Sequence, residues 1–146
     1  MSNILEVNNL NVSYGGIKAV KEISFHVPKG QVVTLIGANG AGKSSTLRSI
    51  VGLVRPEGGS IQFKETELAG LPTDQIVPKG ITLVPEGRRV FSDLTVLENL
   101  KIGAYMRKDS LDEDLNWVHD LFPRLKERSW QLAGTLSGGE QQMLAI

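Results

Sequence analysis

Residues Gly37-Ala38-Asn39-Gly40-Ala41-Gly42-Lys43-Ser44 carry the spacing G-x-x-x-x-G-K-S, and each fixed residue type in it has a task around a phosphate chain. Glycines admit left-handed backbone, which points successive N–H groups inward at an anion. A helix beginning at Lys43 adds the positive end of its dipole. In this pattern Lys43 neutralises β/γ-phosphate charge, the Ser44 hydroxyl ligates Mg²⁺ and Ser45 donates a second phosphate hydrogen bond. Gly37, Asn39, Gly40, Ala41 and Gly42 supply the loop that wraps the phosphates. The plainer reading, a flexible loop that happens to hold glycine and lysine, does not explain its place between a β-branched apolar run and a helical period.

A second constellation is Leu136-Ser137-Gly138-Gly139-Glu140-Gln141-Gln142. Ser137 and Glu140 stand at capping-box spacing, which alone marks only a helix start. Gly138 and Gly139 cost that helix about 1 kcal/mol each in propensity with no packing return. An anion approaching the helix N-terminus gives the two glycines a purpose. Other tempting residues read as ordinary. His26 and His119 have no second His or Cys at ligand spacing. Arg88-Arg89 and Arg124-x-Lys126-x-Arg128 read as solvated faces, although the first pair could meet a partner protein, and Trp117 and Trp130 read as packing residues. No basic stripe interleaved with aromatics supports nucleic-acid binding.

The elements that must position these residues follow from hydrophobic periodicity. Residues 4–7 and 12–14 read as strands, Gly15-Gly16 as a turn, and Val20, Ile23, Phe25 and Val27 as another strand before Pro28-Lys29-Gly30. The run 32–36 (VVTLI) has the continuous apolar character of a strand buried on both faces of a parallel sheet. The phosphate loop follows it, and 43–53 has helical spacing through Leu47, Ile50, Val51 and Val54. Residues 60–63 and 81–84 read as strands, with one helical turn between them, capped by Thr73, disturbed by Pro78 and ended by Gly80. Three capping boxes, Thr95-x-x-Glu98, Ser110-x-x-Glu113 and Ser137-x-x-Glu140, each predict a helix start. Leu97, Leu100 and Ala104 line one face of the first helix; Leu111, Leu115, Val118 and Phe122 line one face of the second, which Pro123 stops.

Composition bounds the rest. The chain has 146 residues, the size of one ordinary domain, and 16 basic residues balance 16 acidic ones. No global field draws it to nucleic acid or anionic lipid. Hydrophobic residues at 40% and charged residues at 22% argue against disorder. The longest uncharged stretch, 30–42, is short of the ~20 apolar residues of a membrane-spanning helix. A chain start without a basic and then apolar segment, together with zero cysteines, predicts a cytoplasmic setting without disulfides or thiolate metal sites.

A P-loop followed downstream by LSGGE resembles the ATP-binding subunits of ABC transporters, whose signature is usually LSGGQ. The segments Val84-Pro85-Glu86-Gly87-Arg88-Arg89-Val90-Phe91 and Leu94-Thr95-Val96-Leu97-Glu98-Asn99-Leu100 are similar to the F-type ATPase subunit of bacterial leucine-isoleucine-valine (branched-chain amino acid) importers. The resemblance covers the chain from about Ile4 to Ile146. It implies an α/β P-loop NTPase with an N-terminal β-subdomain, a partial parallel core sheet and an α-helical subdomain, incomplete after the start of the signature helix. In that scheme 1–85 holds the β-subdomain and the P-loop part of the ATPase core, 86–136 the Q-loop and helical subdomain, and 137–146 the signature and the start of its helix.

The resemblance also implies roles. Tyr14 takes the place of the aromatic that stacks on adenine, an interaction worth ~1–3 kcal/mol. Glu86 falls where the family usually has the Q-loop glutamine that senses the γ-phosphate and Mg²⁺; an ionised glutamate accepts hydrogen bonds but donates none. Ser137, Gly138, Gly139 and Glu140 belong to the signature, which meets ATP held by the P-loop of a second subunit in a head-to-tail dimer. The implied cofactors are ATP and Mg²⁺. The implied partners are a second ATPase subunit, identical or not, and integral membrane permease subunits, with the protein peripheral on the cytoplasmic face of the inner membrane. Transport of a branched-chain amino acid is the implied purpose.

In this family the Walker B aspartate, the adjacent catalytic glutamate, the D-loop and the switch histidine follow the signature helix. Residues 1–146 contain no run of four apolar residues followed by Asp-Glu. Two expectations result: these residues alone do not hydrolyse ATP at a family-like rate, and the 32–36 strand lacks its parallel neighbour. A competing reading is therefore a shortened, non-catalytic form that at most binds nucleotide or partner subunits. A small P-loop kinase would leave LSGGE unexplained.

Overall fold

The computed structural model describes residues 2–146, which divide into two compact units, one up to Leu83 and one over Val84–Ile146. In the first, strands β1 (Asn3–Tyr14), β2 (Ile17–Pro28), β3 (Gly58–Phe63) and β4 (Thr66–Glu67) form an antiparallel sheet in the order β2-β1-β3-β4. The two stretches expected at 4–7 and 12–14 are thus one strand. Its buried residues Val7, Leu10 and Val12 do not follow strict alternation, because an irregularity around Asn9, at φ 48°, re-phases the side chains between Val7 and Leu10. Gly15 and Gly16, at φ 53° and 85°, close the β1–β2 hairpin in the doubly left-handed conformation that matches strand twist.

Helix α1 (Lys43–Ile50) lays Ile50 into the core of Val7, Leu10, Val12, Val20, Ile61, Phe63, Leu68 and Ile76. The short helix α2 (Thr73–Ile76) continues into a 3-10 turn, Val77–Lys79, which Gly80 ends in a left-handed conformation. Pro72 precedes α2. Thr73 does not cap it, since its hydroxyl donates to the Val51 carbonyl.

The parallel sheet is where sequence and structure part. Among the described residues no parallel pair forms, and 31–38 runs without a ladder partner. Val32 is 96% exposed and Ile36 93%. An apolar run becomes a buried strand only between neighbours that satisfy its backbone and cover both faces. Neither 32–36 nor 81–84 finds such a neighbour here.

The second unit is helical: α3 (Val96–Gly103), α4 (Asp112–Leu121), α5 (Pro123–Glu127) and α6 (Gly138–Ala145). Its core is Val96, Leu125, Ala133, Leu136 and Leu144, with Leu100, Val118 and Phe122 packed against it. Val96 rather than Leu97 is the buried start of α3, and Ala104 lies just beyond that helix as its C-cap. The boxes at Thr95–Glu98 and Ser137–Glu140 form reciprocally. The one at Ser110 does not: Leu111 precedes α4, and Ser110 bonds the Asp112 carboxylate instead. Pro123 both follows α4 and opens α5, where its missing N–H costs nothing. Trp117 and Trp130, expected to pack, are 64% and 77% exposed.

Candidate functional site

The phosphate loop is built from close approach. A Cβ on Gly42, at φ 87°, would collide with the Ala19 carbonyl and the Val20 side chain, so only glycine lets the start of α1 seat on β2. Gly40, at φ 84°, faces open space; there the left-handed backbone alone selects glycine. Ala41 donates its N–H to the Ala38 carbonyl at 3.1 Å, closing the turn around Asn39 and Gly40. A Cβ on Gly37 would press on Ala41.

Helix α1 starts with no side-chain cap. The N-cap is Gly42, which has no side chain to place before the first N–H groups. Lys43 curls back over the loop, its Nζ donating to the carbonyls of Gly37 at 2.7 Å and Ala38 at 2.8 Å. Positions 37–45 contain no carboxylate, and Lys43 is their one charged residue. This donor set fits an anion. Ser44 and Ser45 place two hydroxyls on the first turn of α1, and a hard oxygen at Ser44 suits Mg²⁺, which takes one or two protein oxygens besides phosphates and water. Among the described residues no group of three or more His, Cys, Asp or Glu is gathered for a metal.

Tyr14 ends β1, 43% exposed, and its hydroxyl donates to Ser45 Oγ at 3.3 Å. The structure thus brings Tyr14 to the helix start that carries Lys43, Ser44 and Ser45.

The signature lies in the second unit. Ser137 Oγ accepts from the Glu140 N–H at 3.3 Å, and Glu140 Oε2 accepts from the Ser137 N–H at 2.9 Å. The other carboxylate oxygen of Glu140 pairs with Arg128 Nε at 3.1 Å and Arg124 Nε at 3.6 Å. The Ser137 N–H, then its hydroxyl, then the two arginines hold the Glu140 carboxyl below its ordinary range. With both oxygens engaged, Glu140 braces Ser137. Arg124 and Arg128, read as solvated, are the partners of this brace.

Arg88 is the residue that sequence reasoning missed. Its guanidinium fills the space a Cβ on Gly138 would need, which gives that glycine a packing reason. Gly87 and Arg88, at φ 86° and 51°, form the left-handed pair at which this contact begins. No spacing signal links positions fifty apart in sequence. Gly139 faces open space, and Glu86 is exposed two residues before Arg88.

The family model described as ABC transporter matches residues 20–146. The high-affinity branched-chain amino acid transport ATP-binding protein BraG of Pseudomonas aeruginosa is 52% identical, over 98% of this chain and 62% of its own length. The probable branched-chain amino acid transport ATP-binding protein LivF of Archaeoglobus fulgidus is 36% identical, over 98% of this chain and 61% of its own. The crystal structure of a nucleotide-free ATP-binding cassette from an ABC transporter superposes with a TM-score of 0.82 at 27% identity, covering 99% of this chain and 63% of that one. The chain therefore spans about three fifths of the length of the curated relatives it matches.

Proposed function

Since the chain belongs to the ABC transporter family, we propose that it binds ATP with Mg²⁺ at residues 37–45 and serves as the ATP-binding subunit of an importer of branched-chain amino acids. The observation that carries this reading is the uncapped start of α1, seated on β2 through Gly42 and overhung by Lys43. Lys43 leaves its two loop carbonyls to neutralise phosphate charge, the loop N–H groups donate to phosphate oxygens, and Ser44 holds Mg²⁺. Bound Mg²⁺ supplies charge neutralisation between phosphates. Tyr14 offers its ring to the adenine. Ser137, Gly138 and Gly139 face the γ-phosphate of ATP on a second subunit, and Glu86 takes the sensing position of the Q-loop. The names of BraG and LivF support the substrate class.

The partners are a second ATPase subunit and membrane permease subunits, with the protein peripheral on the cytoplasmic face of the inner membrane. No helix of the described residues is long and apolar enough to cross a membrane itself. Titration of the chain with MgATP tests the reading: saturable binding is expected, and Lys43→Ala should weaken it at least about tenfold, the scale of losing a charged hydrogen-bonding group. Equal affinity in the variant would overturn it.

The second reading concerns catalysis. Residues 1–146 taken alone hold no apolar run ending in Asp-Glu, so by themselves they are expected to bind nucleotide without turning it over. Steady phosphate release that disappears in Lys43→Ala would refute that.

A further inference from the structure

We propose that Tyr14 is a positioning residue for the phosphates, acting through the Ser45 hydroxyl, in addition to any role of its ring toward a base; this rests on the nucleotide reading of the loop. The hairpin and the helix start are one assembly. The left-handed Gly15–Gly16 turn pairs Tyr14 with Ile17, and β2 then runs to Ala19 and Val20, the residues on which Gly42 seats. Tyr14 thus projects from the end of the same hairpin that anchors α1, and its hydroxyl reaches Ser45 on the helix's first turn at 3.3 Å.

The direction of this hydrogen bond has a chemical consequence. The phenol is the more acidic of the two hydroxyls and hence the better donor, so Ser45 Oγ accepts and keeps its single proton for another acceptor. The acceptor fitting that place is a phosphate oxygen, giving the chain tyrosine O–H to serine O–H to phosphate. Hydrogen bonds in such chains polarise one another, so a serine that accepts from tyrosine is the better donor. Tyr14 also stops the Ser45 rotor from turning away. Base stacking alone predicts none of this, because the ring does its work through its face and needs no hydroxyl.

The probes are MgATP and magnesium tripolyphosphate, which has the phosphates and no base. Both are titrated calorimetrically into the full 146-residue chain carrying the native residues, Tyr14→Phe, Ser45→Ala, Ser45→Thr, or Tyr14→Phe with Ser45→Ala or with Ser45→Thr, and thermal melts check folding. We expect Tyr14→Phe to weaken both probes by about three- to tenfold, the range of one hydrogen bond. In the Ser45→Ala background the same change should have no further effect, and in the Ser45→Thr background, which keeps a hydroxyl, the effect should return. If Tyr14→Phe weakens ATP alone, or if its effect persists with Ser45→Ala, Tyr14 acts independently of Ser45 and the proposal fails while nucleotide binding stands. If the native chain binds neither probe, both readings fall together.

Discussion

Gly42 is a fixed position of the phosphate-loop pattern and Gly40 a variable one, and the structure asks different things of them. At Gly42 a side chain meets the Ala19 backbone carbonyl as well as a left-handed φ, whereas at Gly40 only the φ resists. Left-handed backbone costs a non-glycine residue about 1–2 kcal/mol and overpacking a further ~1–3 kcal/mol. Gly42→Ala should therefore lower unfolding free energy in urea by about 3 kcal/mol and impair ATP binding, against about 1 kcal/mol for Gly40→Ala. Equal losses would show that α1 does not depend on its seat against β2. Gly138 differs again, because its neighbour is the tip of the Arg88 side chain, which can swing away. Gly138→Ala should leave stability nearly unchanged, since helix propensity gained offsets the displaced contact. The two motifs contain all three glycines; the backbone that Gly42 approaches and the side chain that Gly138 approaches lie elsewhere in the chain and were not legible.

Helix starts were legible wherever their chemistry is local. Thr95 and Glu98 satisfy each other within one turn, as do Ser137 and Glu140. Ser110 matched the same pattern and failed because α4 begins two residues later, behind Leu111. Thr95→Ala should then cost about 1 kcal/mol, the usual value of a cap, while Ser110→Ala should cost a few tenths at most, both read from thermal melts. Glu140 adds a pH dependence. Its folded pKa lies below its unfolded value, so its contribution is full above the ordinary carboxylate pKa of about 4.3 and disappears as pH falls through the lowered folded value. Melting temperatures followed downward from about pH 6 should fall below about pH 5, and Glu140→Gln should flatten part of that fall. A variant as acid-sensitive as the native chain would show that the brace on Ser137 contributes nothing.

Across the whole molecule, the β1–β2 hairpin was readable because its Gly15–Gly16 turn joins neighbours in sequence, whereas β1 pairs with β3 across a long stretch of chain that no local signal bridges. The expected parallel part does not form among the described residues, because such pairing depends on strands far apart in sequence, and the run that best fits a buried strand is exposed at Val32 and Ile36. Unpaired apolar backbone of this kind templates association with other chains. A formal net charge of zero supplies no repulsion against it. The 146-residue chain should therefore self-associate with rising concentration in sedimentation velocity runs. Replacing Val32 and Ile36 by lysine should suppress that association. Neither side chain packs in the core, so the double variant should melt at the native temperature. A native chain that stays monomeric at high concentration would dismiss the exposed run as an association site. A double variant that melts lower would mean that 32–36 contributes to this unit's packing after all.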